Sequence, residues 1–144
     1  MTARDAVRPG RLYLDTSAYL GILLREERAA SLPGTMAGAE LLSSVLLVLE
    51  TRRNLIRLAR EGSLPPEAYE ACMSQVTEDI AKFELRDLTL DLCAGPVPAV
   101  ATPRSLDLAH LRTALWFHQE RPLHRFVSLD ATQLQAAREL GLPT

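Results

Sequence analysis

The chain of 144 residues is 47% apolar and 24% charged, and its formal net charge is −2. These values predict one soluble globular domain over residues 1–144, long enough to bury a hydrophobic core. The small negative charge excludes strong attraction of nucleic acid by the molecule as a whole, so that such binding would have to rest on a local patch.

Strands and helices are predicted to alternate along the chain. The predicted strands are residues 11–15, 40–43, 83–88 and 125–129, and the predicted helices are residues 17–30, 45–61, 65–82, 90–94, 105–118 and 131–140. A break is expected over residues 31–35, Gly62 and Gly141 are expected to follow helix ends, and Ser63 (or a neighbour) and Ser105 are expected to cap helices. This order favours a short parallel sheet flanked by helices in a three-layer α/β/α fold.

Four acidic residues lie in apolar settings that such a fold would bring to one end of its sheet. Asp15 and Asp130 each follow a predicted strand, Asp107 lies in the first turn of a predicted helix, and Glu50 lies within another. Open α/β sheets bind ligands at the carboxyl ends of their strands. Gathered carboxylates repel by about 4 kcal/mol per pair at about 4 Å in a medium of dielectric near 20. The pattern therefore predicts a site for Mg²⁺ or Mn²⁺, which prefer oxygen ligands.

Each acid also has a structural explanation when it is considered alone. The two strand-end aspartates could cap helices, and Asp107 could favour the positive end of a helix dipole. Glu50 could form an ion pair with Arg53 or Arg57, which share its helix stripe. The two arginines could therefore neutralise the acidic cluster or bind phosphate groups, and the sequence favours neither role over the other.

His110 lies three residues after Asp107 and could point into the same cleft. For a single histidine on an apolar helix, however, a hydrogen-bonded position in the core or at its rim is the more common outcome. We therefore expect His110 to be a structural residue rather than a ligand.

Cysteine usage and the lack of long apolar segments both indicate the cellular compartment. Cys72 and Cys93 are isolated, which favours small core residues in a reducing environment. The N-terminus lacks the apolar segment of a signal peptide, and the longest apolar stretch, residues 41–49, is too short to span a bilayer. We therefore expect a cytoplasmic protein with no membrane association.

The acids lie within four longer stretches that share a family pattern. They are residues 12–20 (LYLDTSAYL), 44–50 (SVLLVLE), 105–115 (SLDLAHLRTAL) and 127–130 (VSLD), followed by Ala136, Ala137 and Gly141. In this order and spacing the whole chain resembles a PIN domain, specifically a VapC-type toxin endoribonuclease of a type II toxin–antitoxin system. Leu47 and Leu108 stand where threonine and alanine are common in the family, but neither departure removes a carboxylate.

The resemblance implies a Mg²⁺- or Mn²⁺-dependent hydrolysis of RNA phosphodiester bonds. It implies that the catalytic and metal-binding residues are Asp15, Glu50, Asp107 and Asp130. Asp15 and Asp107 would be the direct metal ligands, with Ser17 and Ser128 as supporting hydroxyls. It also implies an RNA substrate, a cognate antitoxin and a homodimer.

Two other functions stay open. The chain could be a housekeeping RNA-processing PIN nuclease without an antitoxin, which a small basic reading frame directly upstream would argue against. Alternatively, it could be a non-catalytic module whose acidic cleft binds a basic partner peptide. Turnover of RNA by the isolated chain in Mg²⁺ or Mn²⁺ would separate an enzyme from such a module.

Overall fold

A four-stranded parallel sheet forms the centre of the protein. The computed structural model of the chain describes residues 9–101 and 104–144. The strands are β1 (Arg11–Leu14), β2 (Glu40–Ser44), β3 (Phe83–Arg86) and β4 (Arg125–Val127). Their order is β3-β2-β1-β4, and every neighbouring pair is parallel. Leu12 lies opposite Leu41 of β2, and Tyr13 lies opposite Phe126 of β4, so that the first and last strands are neighbours.

Helices cover both faces of this sheet and give the predicted three-layer α/β/α architecture. They are α1 (Thr16–Leu23), α2 (Leu32–Met36), α3 (Leu46–Arg60), α4 (Pro66–Ile80), α5 (Leu90–Ala94), α6 (Ser105–Glu120) and α7 (Ala131–Glu139), with a 3₁₀ turn at Glu27–Ala29. Among the residues described, no helix has both the length and the hydrophobicity needed to cross a membrane.

The alternation of side chains along β1 divides the core into two layers. Tyr13 points to one face, where it packs with Leu111 of α6 and Ala136 of α7. Leu12 and Leu14 point to the other face, toward α1 and α2. All of β1 is buried, as expected for a strand with neighbours on both sides and helices on both faces.

The first helix ends seven residues earlier than predicted. The backbone N–H of Glu26 bonds to the carbonyl of Gly21 at 2.9 Å, and that of Arg25 bonds to the carbonyl of Ile22 at 3.1 Å. These bonds form a Schellman motif, with Arg25 at a φ of +55° where glycine is usual. The predicted continuation to residue 30 was wrong because no glycine marks this helix end.

Two further local predictions were wrong. The expected break over residues 31–35 is mostly the short helix α2, which tolerates Pro33 in its first turn. Ser105 is the first residue of α6 rather than its cap, and Arg104 occupies the cap position. Gly62 and Gly141 follow the ends of α3 and α7 as predicted, with φ values of +79° and +81°.

The apolar side chains of α3 are only partly buried. Leu47 and Leu55 are buried against α1 and α4, but Leu49 and Ile56 are 68% and 54% exposed. The helix α4 buries Val76 in the same cluster, so its apolar side belongs at least in part to the core.

The two cysteines are free and lie in different environments. Cys72 on α4 is half-buried, as expected of a small core residue, whereas Cys93 on α5 is exposed. The prediction of a core position was therefore wrong for Cys93.

Candidate functional site

The four predicted acids line one cavity at the carboxyl end of the sheet. This acidic cavity has a volume of about 240 Å³. Asp15 is buried directly after β1, and Asp130 is exposed shortly after β4. Glu50 and Asp107 are half-buried near the starts of α3 and α6. Parallel strands end at the same edge of a sheet, and this is why residues distant in sequence meet here.

Asp15 is held by a small network of hydroxyl and backbone groups. Its Oδ1 accepts hydrogen bonds from Ser17 Oγ at 2.7 Å and from the backbone N–H of Ala18 at 3.1 Å, so Asp15 is also the N-cap of α1. Ser17 Oγ in turn lies 3.2 Å from Ser128 Oγ and accepts the backbone N–H of Leu129 at 2.9 Å. Both predicted supporting serines therefore lie at this carboxylate.

Burial raises the pKa of Asp15 above its usual value of 3.8, while polar contact with Ser128, Ser17 and the Ala18 N–H opposes the rise. The charged form is thus held at a cost in free energy. A cation bound in the cavity would reduce that cost.

Asp107 and Asp130 each use one oxygen to cap a helix. Asp130 Oδ1 accepts the backbone N–H groups of Thr132 at 2.8 Å and Gln133 at 3.2 Å, which makes it the N-cap of α7. Asp107 Oδ2 accepts the backbone N–H of Arg104 at 3.3 Å. The capping role predicted for Asp130 is therefore confirmed, and the second oxygen of each of the two carboxylates is left without a hydrogen bond from the described residues.

Glu50 is held by groups on two other elements. Its Oε1 accepts a hydrogen bond from Thr16 Oγ1 at 3.0 Å and lies 2.8 Å from Nε2 of His110. His110 is only 2% exposed, and its Nδ1 lies 2.8 Å from the hydroxyl of Tyr13. It is thus the buried, hydrogen-bonded histidine that the sequence favoured, and it also lines the acidic cavity. The ion pair of Glu50 with an arginine is not formed among the described residues.

An outer cleft of about 730 Å³ continues from the acidic cavity, with which it shares Glu50, Asn54, Asp107 and Asp130. Its lining includes two arginines. Arg53 comes from α3, and Arg104 precedes α6.

The two arginines predicted from the sequence lie in different places. Arg53 lines the outer cleft, as a phosphate contact would. Arg57 instead pairs with Glu61 on the exposed side of α3, with Nη1 and Oε2 3.0 Å apart. Of the two, only Arg53 is placed to meet a ligand in the outer cleft.

No protein-family model matches the chain, and no curated protein is significantly similar to it.

The sequence did not predict several residues of the site, among them Thr16, Arg104 and Gln133. Thr16 bonds to Glu50, Arg104 lines the outer cleft, and Gln133 is 3% exposed with its Nε2 donating to the carbonyl of Asp107 at 2.9 Å. The position of Thr16 beside Asp15 was a usable signal. No sequence signal indicated the contact of Gln133 with Asp107, because it joins the starts of α6 and α7, which are distant in sequence.

As the side chains stand, no three acidic, imidazole or thiol side chains of residues 9–101 and 104–144 are arranged to hold one ion. Mg²⁺ usually keeps several waters and binds through only one or two carboxylates, so a cage of three protein ligands is not needed. The oxygen donors of the acidic cavity fit such a hydrated ion.

Proposed function

We propose that the protein is a Mg²⁺- or Mn²⁺-dependent endoribonuclease. One observation carries the proposal: four carboxylates line a single cavity, and none of them forms a salt bridge with an arginine or lysine among the described residues. Arg28 also lines the cavity, but it pairs with Glu26 rather than with one of the four acids. Neighbouring carboxylates without a direct arginine or lysine partner are costly to keep together. A divalent cation is the simplest group that would offset this cost.

Each part of the site has a distinct task in this proposal. Asp15 and Asp107 would hold the ion directly, and Glu50 and Asp130 would complete its surroundings, in part through water. A bound ion would supply charge neutralisation at the phosphate and lower the pKa of a water molecule. The hydroxyls of Ser17 and Ser128 would keep Asp15 oriented.

The outer cleft supports a phosphodiester as the substrate. Arg53 and Arg104 line it next to the acids, and guanidinium groups bind phosphate oxygens with two parallel hydrogen bonds. The negative net charge of the molecule makes such a local pair of cations necessary for nucleic-acid binding. The choice of RNA over DNA rests on the resemblance of the four motif stretches to PIN-domain ribonucleases.

The decisive experiment is an RNA cleavage assay with the purified chain in Mn²⁺, in Mg²⁺ and in EDTA. We expect cleavage in either metal and none in EDTA. Loss of an outer-shell group alone typically costs 10–100-fold, so Asp15→Asn or Asp107→Asn should lower the rate by more than about 100-fold. The exposed Asp87, which lines neither cavity, gives the matched control Asp87→Asn. Parent-like rates in both site variants, or no metal-dependent cleavage by the parent, would overturn the proposal.

The proposed biological role is that of the toxin in a toxin–antitoxin pair, acting in the cytoplasm as a homodimer. The acidic cavity supports an inhibitor with a basic segment, because such a segment would replace the cation. If a small basic protein is encoded directly upstream, its co-expression should suppress cleavage. Continued cleavage in a stable complex would contradict this role, and sedimentation analysis of the free chain tests the dimer.

The same cavity also supports the alternative of a non-catalytic module that binds a basic peptide. That function predicts binding of an arginine-rich peptide in EDTA, no Mn²⁺ affinity and no RNA turnover.

A further inference from the structure

A buried hydrogen-bonded chain runs from the sheet to the acidic cavity. The hydroxyl of Tyr13 lies 2.8 Å from Nδ1 of His110, and Nε2 of His110 lies 2.8 Å from Oε1 of Glu50. We propose that His110 is a positioning residue that holds Glu50 in the orientation needed to bind the cation or its water. This inference rests on the proposed function and adds to it a residue that the four acids do not include.

The hydrogen-bond roles along this chain follow from the chemistry of its end group. An ionised carboxylate can only accept, so the contact with Glu50 places a proton on Nε2 of His110. In the neutral ring Nδ1 is then the acceptor for the Tyr13 hydroxyl. An arginine at the same place would compete with the cation for Glu50.

Packing against Tyr13 fixes the position of the His110 ring. Tyr13 is fully buried, stacks on Phe126 with ring centres 5.5 Å apart, and meets the ring of His110 edge-on at 5.9 Å. Tyr13 belongs to the central strand β1, so the position of His110 is fixed by the sheet itself. A carboxylate bonded to such a ring takes its orientation from the core of the protein.

The different burial of His110 and Glu50 indicates which of them faces a ligand. His110 is 2% exposed, whereas the side chain of Glu50 is 18% exposed and lines both the acidic cavity and the outer cleft. His110 also lines the acidic cavity, but Tyr13 and Glu50 engage its two ring nitrogens, so it acts on a ligand through Glu50. Thr16 donates a second hydrogen bond to the same oxygen, Oε1, at 3.0 Å. Oε2 receives no hydrogen bond from the described residues and is the oxygen left for the cation or its water.

A glutamate side chain has three rotatable bonds, and ordering it on ligand binding costs conformational entropy. The two hydrogen bonds to Oε1 already order the Glu50 side chain in the folded protein, so less entropy is lost when the cation binds. Partners of this kind, one shell away from a metal, usually change its affinity or the activity by 10–100-fold when they are removed. The expected effect is therefore on Mn²⁺ affinity as well as on turnover.

The test measures Mn²⁺ affinity from the electron paramagnetic resonance signal of free Mn²⁺, together with single-turnover RNA cleavage at saturating Mn²⁺. We expect His110→Leu to bind Mn²⁺ about 10–100-fold more weakly. His110→Gln places an amide N–H near the position of Nε2 and should recover part of the loss. In a Glu50→Gln background, His110→Leu should cause little additional loss, because both changes act on the same group.

Two results would overturn this inference alone: Mn²⁺ binding by His110→Leu equal to that of the parent, or losses that simply add to those of Glu50→Gln. A parent chain that binds no Mn²⁺ would overturn the proposed function as well. If His110→Leu does not fold, Thr16→Val removes the second hydrogen bond to Oε1 with little change of shape. His110→Asn, whose shorter side chain can reach Tyr13 but not Glu50, then tests His110 itself, and parent-like Mn²⁺ binding by both His110→Asn and Thr16→Val would overturn the inference.

Discussion

The hydroxyl of Ser17 donates a hydrogen bond to Oδ1 of Asp15 over 2.7 Å. The same hydroxyl oxygen accepts the backbone N–H of Leu129 at 2.9 Å. Ser17 thus joins the start of α1 to the segment that follows β4. At the edge of the acidic cavity, this one hydroxyl bridges the segments that follow the two paired strands β1 and β4.

Replacing this hydroxyl should destabilise the fold. Ser17→Ala leaves the N–H of Leu129 without its partner and takes a donor from Asp15, so we expect a loss of about 1–3 kcal/mol in the free energy of unfolding. Urea unfolding measures it. The control is Ser31→Ala, at an exposed serine whose side chain forms no capping bond, where a change within about 0.5 kcal/mol is expected. An equally small change at Ser17 would contradict the prediction.

The raised pKa of Asp15 gives a pH dependence with a definite sign. Folding favours the protonated acid, so its contribution to stability is fully present below the unfolded pKa and is lost as the pH rises through the folded pKa. Asp15→Asn stays neutral and keeps Oδ1 as an acceptor for Ser17 and Ala18. In EDTA its unfolding free energy should therefore equal the parent's at low pH and exceed it above the folded pKa.

Addition of Mn²⁺ should reverse that order, since only the parent has the carboxylate ligand and binding stabilises the folded state. Thermal unfolding from acid to neutral pH, with and without Mn²⁺, measures both effects. A parent that stays the more stable protein in EDTA at neutral pH would mean that the charged Asp15 has a structural role.

A buried hydroxyl on α3 offers a stabilising substitution away from the cavity. Thr51 is fully buried, and its Oγ1 has no hydrogen-bond partner among the described residues. Thr51→Val keeps the shape and removes the unsatisfied group, so we expect a gain of about 1 kcal/mol. Thr77→Val on α4 is the control, because Thr77 is exposed and donates to the carbonyl of Met73 at 3.2 Å. Equal unfolding free energies for parent and Thr51→Val would show that the hydroxyl is satisfied.

The different surroundings of Arg53 and Arg57 predict different effects on RNA binding. RNA binding is measured in an Asp107→Asn background, in which cleavage is expected to be slow. There, Arg53→Gln should weaken binding and reduce the salt dependence of the affinity by about one ion. Arg57→Gln, which removes a guanidinium paired with Glu61, should leave the salt dependence unchanged. Identical salt dependences for both variants would mean that the outer cleft does not bind the phosphates.

Sequence periodicity was sufficient to predict the parallel sheet and the position of the four acids at its carboxyl end. Asp15 and Asp130 were found because each ends a short apolar run, a signal that is complete within a few residues. The end of α1 was missed because its motif depends on Arg25 taking a conformation that glycine normally takes.

The partner of Glu50 could not be predicted either. The nearby Arg53 and Arg57 were the candidates, whereas His110 lies 60 residues further along the chain. Contacts of this separation depend on how helices pack on the sheet, and a single sequence gives no direct signal of that packing.

Because β4 pairs with β1, the acidic cavity can form only after the last strand has been synthesised. Leu12 pairs with Arg125, and Asp130 follows that last strand. A ribosome that has made only β1, β2 and β3 carries a nascent chain with an unfinished site. If the protein is a ribonuclease, its own messenger would thus be protected until synthesis has passed the final strand.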